Sequence, residues 1–168
     1  LELENPISSE MTTMRPSLLP GLLSAVQGNR NRGAADVGLF EVGQAYRGDA
    51  SDDQLVVASG VRAGASALAG RGRHWSGAAP EAGVLQAKAD VVALLAGLGF
   101  DALKAQVVRE APPWFHPGRS AALRLGPKMT LAHFGEVHPA TLGLMDVAGP
   151  VAAFEVFVEA IPDQKRKA

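Results

Sequence analysis

The stretch Val37-Gly38-Leu39-Phe40-Glu41-Val42-Gly43-Gln44-Ala45-Tyr46-Arg47 has the period-2 pattern of a β-strand. Because successive side chains of an extended chain point to opposite sides, Phe40 and Val42 share one face and Leu39 and Glu41 share the other. A second apolar stretch follows at residues 55–62, after a polar turn at residues 48–53. Two strands joined by so short a connection must run antiparallel. The sequence therefore predicts a β-hairpin over residues 37–62.

Two amphipathic helices are predicted, one before and one after this hairpin. The first begins at Ser17, a residue type favoured at N-caps, and runs to about residue 31. Its buried face is predicted to carry Leu18, Leu19, Leu22, Leu23 and Val26. The second spans residues 84–98 and is ended by Gly99. Its buried face is predicted to carry Val84, Ala87, Val91, Leu94, Leu95 and Leu98.

The rest of the chain adds further strands to the hairpin. Strands are predicted at residues 103–109, 120–126, 130–137 and 151–158, and a short helix opens at Pro139. Residues 64–83 are rich in Gly and Ala, so we expect a loose excursion there, anchored by Trp75. The predicted fold class is α+β, with a mostly antiparallel sheet of about six strands flanked by helices.

Length and composition are those of one globular domain. The chain has 168 residues, 47% of them hydrophobic and 20% charged, with a formal net charge of -1; these values argue against disorder and against a dedicated duplex-binding protein. We expect residues 1–160 to form the domain and residues 161–168 to begin a linker to a further C-terminal domain. The chain has no cysteine, no signal-peptide pattern and no apolar run long enough to span a bilayer, so we expect a cytoplasmic protein without a membrane partner.

Motifs for nucleotide binding or nucleophilic catalysis are missing from the sequence. It contains no GxxxxGK[ST], GxGxxG or GxSxG. The four histidines include no pair at the i, i+4 spacing of a helical metal site. The sequence therefore predicts no catalytic residue, no metal ligand and no cofactor site in this chain.

Two other features admit more than one interpretation. The segment Trp114-Phe115-His116-Pro117-Gly118-Arg119-Ser120 could hold an anion through Arg119 and backbone amides, but an ordered turn leading into a strand is favoured. Glu41, Glu136 and Glu155 each interrupt an apolar strand. A solvated face or a buried ion pair explains such carboxylates better than acid–base catalysis, because no two of them have a defined catalytic spacing.

Six blocks of sequence, taken in order, resemble the β subunit of bacterial phenylalanine–tRNA ligases. The first is Asn5-Pro6-Ile7-Ser8-Ser9-Glu10 together with residues 14–23, and the second is residues 29–33 with Leu39-Phe40-Glu41-Val42-Gly43-Gln44-Ala45-Tyr46. The others are residues 88–95, 116–121, 135–139 and 153–155. The chain departs from the family at residues 83–87, which lack the usual aromatic and acidic residues. The resemblance covers nearly all of residues 5–158.

The resemblance implies a catalytic-like domain with a class II aminoacyl-tRNA synthetase fold. In this family the β subunit pairs with a catalytic α subunit in an α2β2 heterotetramer that aminoacylates tRNA(Phe). ATP and magnesium are therefore expected in the holoenzyme, with no cofactor in this chain. The implied function is a non-catalytic scaffold. The alternatives are a self-sufficient class II ATP-dependent adenylating enzyme and a regulatory synthetase-like paralogue.

The resemblance also assigns roles to individual residues. Class II active sites use an arginine of a second motif to hold the ATP α-phosphate, and Arg47 falls at that position, either as a vestige or by coincidence. A third motif should supply another arginine, but its place at residues 151–158 contains none. The resemblance further marks candidate interface or turn residues: Asn5, Glu10, Arg15, His116 and Arg119.

Overall fold

The predicted hairpin is present in the computed structural model, which describes residues 13–65 and 80–162. Strand β1 (Val37–Tyr46) pairs antiparallel with β2 (Gln54–Ala63) through a 3-10 turn at Ser51–Asp53. Glu41 lies opposite Ser59 in this register.

Four more strands extend the sheet beyond β2. They are β3 (Gln106–Val108), β4 (Phe115–Leu125), β5 (Met129–Val137) and β6 (Val151–Phe157). The strand order is β1-β2-β6-β5-β4-β3, and every pairing is antiparallel. Strand β6, the last in sequence, therefore lies near the middle of the sheet. The predicted α+β class and the six-stranded antiparallel sheet are confirmed.

Helices pack on both faces of the sheet. Helix α1 (Leu19–Asn31) packs on the side that carries Val61 and Ala153, which we call the α1 face. Helix α2 (Val84–Gly97) packs on the opposite side, the α2 face, against Phe134 and Phe154. A short helix α3 (Pro139–Leu144) opens at the proline, as predicted. No helix within the described residues is long and apolar enough to cross a bilayer.

Several predicted boundaries were wrong. Helix α1 begins at Leu19, two residues later than predicted. Ser17 lies outside the helix, and its hydroxyl accepts a hydrogen bond from the Leu19 amide. Leu98, predicted to be buried, is 49% exposed because it lies beyond the last turn of α2. Strand β3 is shorter than predicted, since residues Ala102–Lys104 form a 3-10 turn. Trp75, most of the 64–83 excursion and residues 163–168 lie outside the described residues.

Most of the segment predicted as a turn at residues 114–120 is instead the start of β4, because the strand begins at Phe115. Phe115 pairs with Val137 and Ser120 pairs with Gly135, so five steps along β4 match two steps along β5. The extra residues form a bulge that includes His116. The Ser120 hydroxyl donates a 2.6 Å hydrogen bond to the His116 carbonyl across this bulge. Pro117 and Gly118 are tolerated in β4 because they lie within this bulge, where the regular pairing is interrupted.

Candidate functional site

A row of polar side chains crosses the α1 face of the sheet. Glu41, Ser59, Glu155 and His133 are cross-strand neighbours on β1, β2, β6 and β5. Residues directly opposite one another in adjacent strands project to the same face, so all four belong to one surface. Arg47, immediately after β1, lies on this face too, over the Phe157 ring. The α1 face therefore carries both the polar row and Arg47.

Glu155 is the centre of this row and is only 4% exposed. Its Oε1 accepts a 2.6 Å hydrogen bond from the Ser17 hydroxyl, and the Trp114 side chain also hydrogen-bonds to it. Burial raises the pKa of Glu155, while these two hydrogen bonds and the charge of Arg47 act in the opposite direction. The carboxyl group is thus engaged by side chains of its own domain.

Ser59 and His133 flank Glu155, Ser59 fully buried and His133 half-buried. Ser59 is 1% exposed, and in the described part of the chain neither its hydroxyl nor His133 Nδ1 has a hydrogen-bond partner. Burial, together with the positive charges of Arg124 and Arg47, lowers the pKa of His133 to about 4. His133 is therefore neutral at pH 7. Its ring meets Phe157 edge-on, with 5.5 Å between ring centroids.

Arg47 is held against an aromatic ring. Its Cζ lies 5.1 Å from the centroid of Phe157, within the range of a cation–π contact. The Arg47 backbone amide donates a 2.9 Å hydrogen bond to the Asp53 carbonyl, which closes the β1–β2 turn. The structure thus gives Arg47 a packing role within the domain.

Arg15 lies beside β1 and pairs with the first residue of the polar row. Its Nη1 is 2.6 Å from Glu41 Oε1, and its Nε donates a 2.9 Å hydrogen bond to the Gln44 carbonyl. The guanidinium passes over Gly43, where an added Cβ would lie 2.6 Å from Nη2. The small residue therefore leaves room for this ion pair.

His116 and Arg119 lie together in the β4 bulge, away from the polar row. The Gly118 amide donates a 3.0 Å hydrogen bond to His116 Nδ1, and the His116 ring stacks on that of His138, 6.2 Å between centroids. Arg119 Nε is 2.7 Å from Glu136 Oε2, so a carboxylate of the same chain already pairs with this cation. These contacts support the packing interpretation of the segment over the anion-binding one.

Comparison with known proteins identifies the family. The sequence model described as the phenylalanyl tRNA synthetase beta chain CLM domain matches residues 1–158. This chain belongs to that family. Phenylalanine–tRNA ligase beta subunits of Mesorhizobium japonicum and Rhodopseudomonas palustris are 50% and 51% identical to this CLM domain, and each match covers 99% of it. The domain spans 21% of the length of each of these relatives.

Solved structures share the fold of the CLM domain at low sequence identity. A pyrrolysyl tRNA synthetase from Desulfitobacterium hafniense superimposes with a TM-score of 0.66 at 14% identity, covering 94% of this chain and 51% of that one. A second structure of pyrrolysyl-tRNA synthetase from the same organism gives a TM-score of 0.62, also at 14% identity, over 88% and 48% of the two chains. The expected class II synthetase-like fold is confirmed.

The structure separates the residues that the resemblance had grouped. Arg15 and Arg47 lie at the α1 face, on the two sides of the C-terminal end of β1. His116 and Arg119 lie in the bulge of β4. Asn5 and Glu10 lie outside the described residues. Within residues 13–65 and 80–162, no group of three or more acidic or histidine side chains could hold a metal ion.

Three side chains next to Glu155 in the CLM domain were not predicted from the sequence to lie there. Ser17 was predicted only as a helix N-cap, Trp114 only as part of a turn, and Ser59 was given no role. The available signal was Glu155, because a carboxylate in an apolar central strand needs hydrogen-bond donors when it is buried. The sequence could not show which residues are the donors, because Ser17 lies 138 positions from Glu155.

Proposed function

We propose that this CLM domain is a non-catalytic scaffold within a phenylalanine–tRNA ligase β subunit. It packs against a catalytic α subunit in an α2β2 assembly and supports aminoacylation of tRNA(Phe) in the cytoplasm. ATP and Mg²⁺ act in that assembly, with no cofactor bound by this domain. The relatives that match over 99% of the chain carry the name phenylalanine–tRNA ligase beta subunit, which supports this placement.

The observation that carries the proposal is the burial of Glu155 on the α1 face. Its carboxyl group lies at the centre of the sheet surface that holds Arg47, and Ser17 and Trp114 close over it. A nucleotide phosphate brought to this surface would meet a buried carboxyl group instead of an open cationic pocket. Electrostatic stabilisation by preorganised positive groups is the main contribution of proteins to phosphoryl-group chemistry, and it would be missing here.

The second supporting observation is the composition of β6. The third-motif arginine of a class II enzyme should come from this region, but the strand reads Val-Ala-Ala-Phe-Glu-Val-Phe. Arg47 by itself is stacked on Phe157 and contributes to packing. A self-sufficient adenylating enzyme is therefore not favoured. A regulatory paralogue is not favoured either, because about half of the residues are identical to those of ligase β subunits along the whole chain.

Co-expression of the full-length β subunit with its α subunit tests the proposal. We expect both chains to elute as one heterotetramer that charges tRNA(Phe). The 168-residue chain, once circular dichroism has shown that it is folded, should give no phenylalanine-dependent exchange of pyrophosphate into ATP. Exchange above background by this chain, or failure of the full-length β subunit to associate with α, would overturn the scaffold role.

A further inference from the structure

Two histidine rings meet where the β4 bulge faces the start of α3. His116 lies in the bulge, and His138 is the residue just before the first turn of α3. The ring centroids are 6.2 Å apart, and the ring planes differ by 28°. The backbone also joins the two segments, because the His138 amide donates a 2.8 Å hydrogen bond to the Trp114 carbonyl. A change at either ring is therefore felt at the same junction between the bulge and the helix.

Each ring accepts a hydrogen bond from the backbone two residues further along the chain. The Gly118 amide donates to His116 Nδ1 at 3.0 Å, and the Ala140 amide donates to His138 Nδ1 at 3.0 Å. The first bond lies within the bulge, and the second caps the N-terminus of α3. Because both Nδ1 atoms act as acceptors, each neutral ring carries its proton on Nε2.

Histidine is an unusual residue type for these two positions. Asn, Asp and Ser are the common acceptors for a backbone amide two residues further along, both in tight turns and at helix N-caps. An asparagine oxygen accepts at any pH, whereas a protonated histidine is a donor at both ring nitrogens. A histidine side chain ordinarily gains that proton near pH 6.5. The residue type therefore makes both acceptors sensitive to pH.

The surroundings of the two rings allow protonation and do not replace the lost bonds. Both rings are half-buried, so solvent reaches them. The ionisable side chains that flank the rings in the sequence are Arg119 in the bulge and Glu136 on β5, and they already pair with each other at 2.7 Å. Helix α3 carries no ionisable side chain, and Asp146 lies beyond its far end. Two protonated rings 6.2 Å apart would also repel each other.

We propose that His116 and His138 form a pH-sensitive latch between the β4 bulge and α3. At neutral pH both rings accept the backbone amides of Gly118 and Ala140, and the latch is closed. As the pH falls below about 6.5, protonation turns each Nδ1 from an acceptor into a donor and releases these amides. The order that the two bonds contribute is therefore fully present above that pH and is lost below it. The latch is a property of the domain itself and does not depend on the scaffold role.

Hydrogen exchange of the full-length β subunit at pH 7.5 and pH 5.5 tests the latch. Protection is expressed relative to unstructured peptide at the same pH, which removes the pH dependence of the exchange chemistry. We expect the protection of the Gly118 and Ala140 amides to fall about tenfold, since a histidine one pH unit below 6.5 is about nine-tenths protonated. The amides of β2 should keep their protection, because they bond to backbone carbonyls that do not titrate. Unchanged protection at Gly118 and Ala140, or an equal loss in β2, would overturn the proposal.

Asparagine provides the matched control for both rings. In the double variant His116→Asn with His138→Asn, each side-chain oxygen can accept the same backbone amide and does not titrate. We expect this variant to keep the protection of both amides within about twofold between pH 7.5 and pH 5.5. His133 is present in both proteins, so its effect cancels in the comparison. A tenfold loss in the variant would place the pH response outside the two rings and overturn the proposal. If the variant does not fold, the wild-type measurement decides through its β2 reference.

Discussion

The Ser17 hydroxyl and the Glu155 carboxyl group form a 2.6 Å hydrogen bond across 138 positions of sequence. The bond joins Ser17, two residues before α1 begins, to strand β6 in the middle of the sheet. Ser17 Oγ also accepts a 3.1 Å hydrogen bond from the Leu19 amide. The same hydroxyl therefore hydrogen-bonds both to the first residue of α1 and to the buried Glu155 carboxyl group. One side chain thus connects the start of α1 to the central strands of the sheet.

Removing the Ser17 hydroxyl should destabilise the domain. We expect Ser17→Ala to lower the free energy of unfolding by about 1 to 3 kcal/mol, because the buried Glu155 oxygen loses a donor. Urea denaturation at pH 7 measures the change. Ser24→Ala is the matched control, since Ser24 is an exposed serine on helix α1. Equal stability of the two variants would show that the Ser17 bond contributes nothing.

His133 should make stability depend on pH. Its pKa is about 4 in the folded protein, against an ordinary value of about 6.5, so the unfolded chain binds more protons between these values. Stability contributed by the neutral ring is therefore fully present above about pH 6.5 and is lost as the pH falls toward 4. After allowance for partial exposure, we expect this contribution to be about 1 to 2 kcal/mol.

The readout is the difference between wild type and His133→Phe in urea denaturation from pH 4 to pH 7. The phenylalanine keeps a ring against Phe157 and removes the titration. Glu155 acts with the opposite sign, because its raised pKa means that stability falls as the pH rises through its folded value. That contribution is shared by both proteins and cancels in the difference. If the difference in unfolding free energy between the two proteins stays constant with pH, the pKa of His133 is not lowered in the folded state.

Much of the fold could be predicted because period-2 and period-3.6 patterns report local structure directly. The β1–β2 hairpin and the buried leucines of α1 follow from such patterns. The start of β4 could not be found in this way, since its bulge is specified by hydrogen bonds from Ser120 and Gly118 that no periodicity reveals. The side chains that donate hydrogen bonds to Glu155 were not predicted, because they lie far from Glu155 in the sequence. Glu155 itself was visible as an acid in an apolar strand.

Gly60 should be intolerant of even the smallest side chain. A Cβ there would lie 2.5 Å from Phe154 Cε1 and 2.6 Å from Cζ, beneath a ring that is 8% exposed. We expect Gly60→Ala to cost about 1 to 3 kcal/mol of unfolding free energy through this overpacking. Gly38→Ala on the neighbouring strand is the control, because nothing lies within 4 Å of its added Cβ. A neutral Gly60→Ala would mean that the Phe154 ring can move aside.

Arg47 is the residue whose position in the sequence most strongly invites a catalytic interpretation, and the structure places its guanidinium 5.1 Å from the Phe157 ring centroid. An exposed cation–π contact contributes about 0.5 to 1 kcal/mol to stability. If that contact is its whole role, Arg47→Ala in the assembled α2β2 enzyme should leave kcat for aminoacylation within about threefold of wild type. Lys128→Ala, which removes another exposed cation near Phe157, is the matched control.

The two roles of Arg47 predict results that are far apart. Loss of a preorganised group that stabilises a transition state usually lowers kcat by about a hundredfold or more, whereas loss of a packing contact acts on folding alone. Arg47→Ala should therefore lower the urea midpoint of the β subunit slightly while steady-state aminoacylation continues. A hundredfold fall in kcat, with the heterotetramer intact by size and the Lys128→Ala control active, would make Arg47 a catalytic residue, because the loss could then be assigned neither to unfolding nor to a general loss of surface charge.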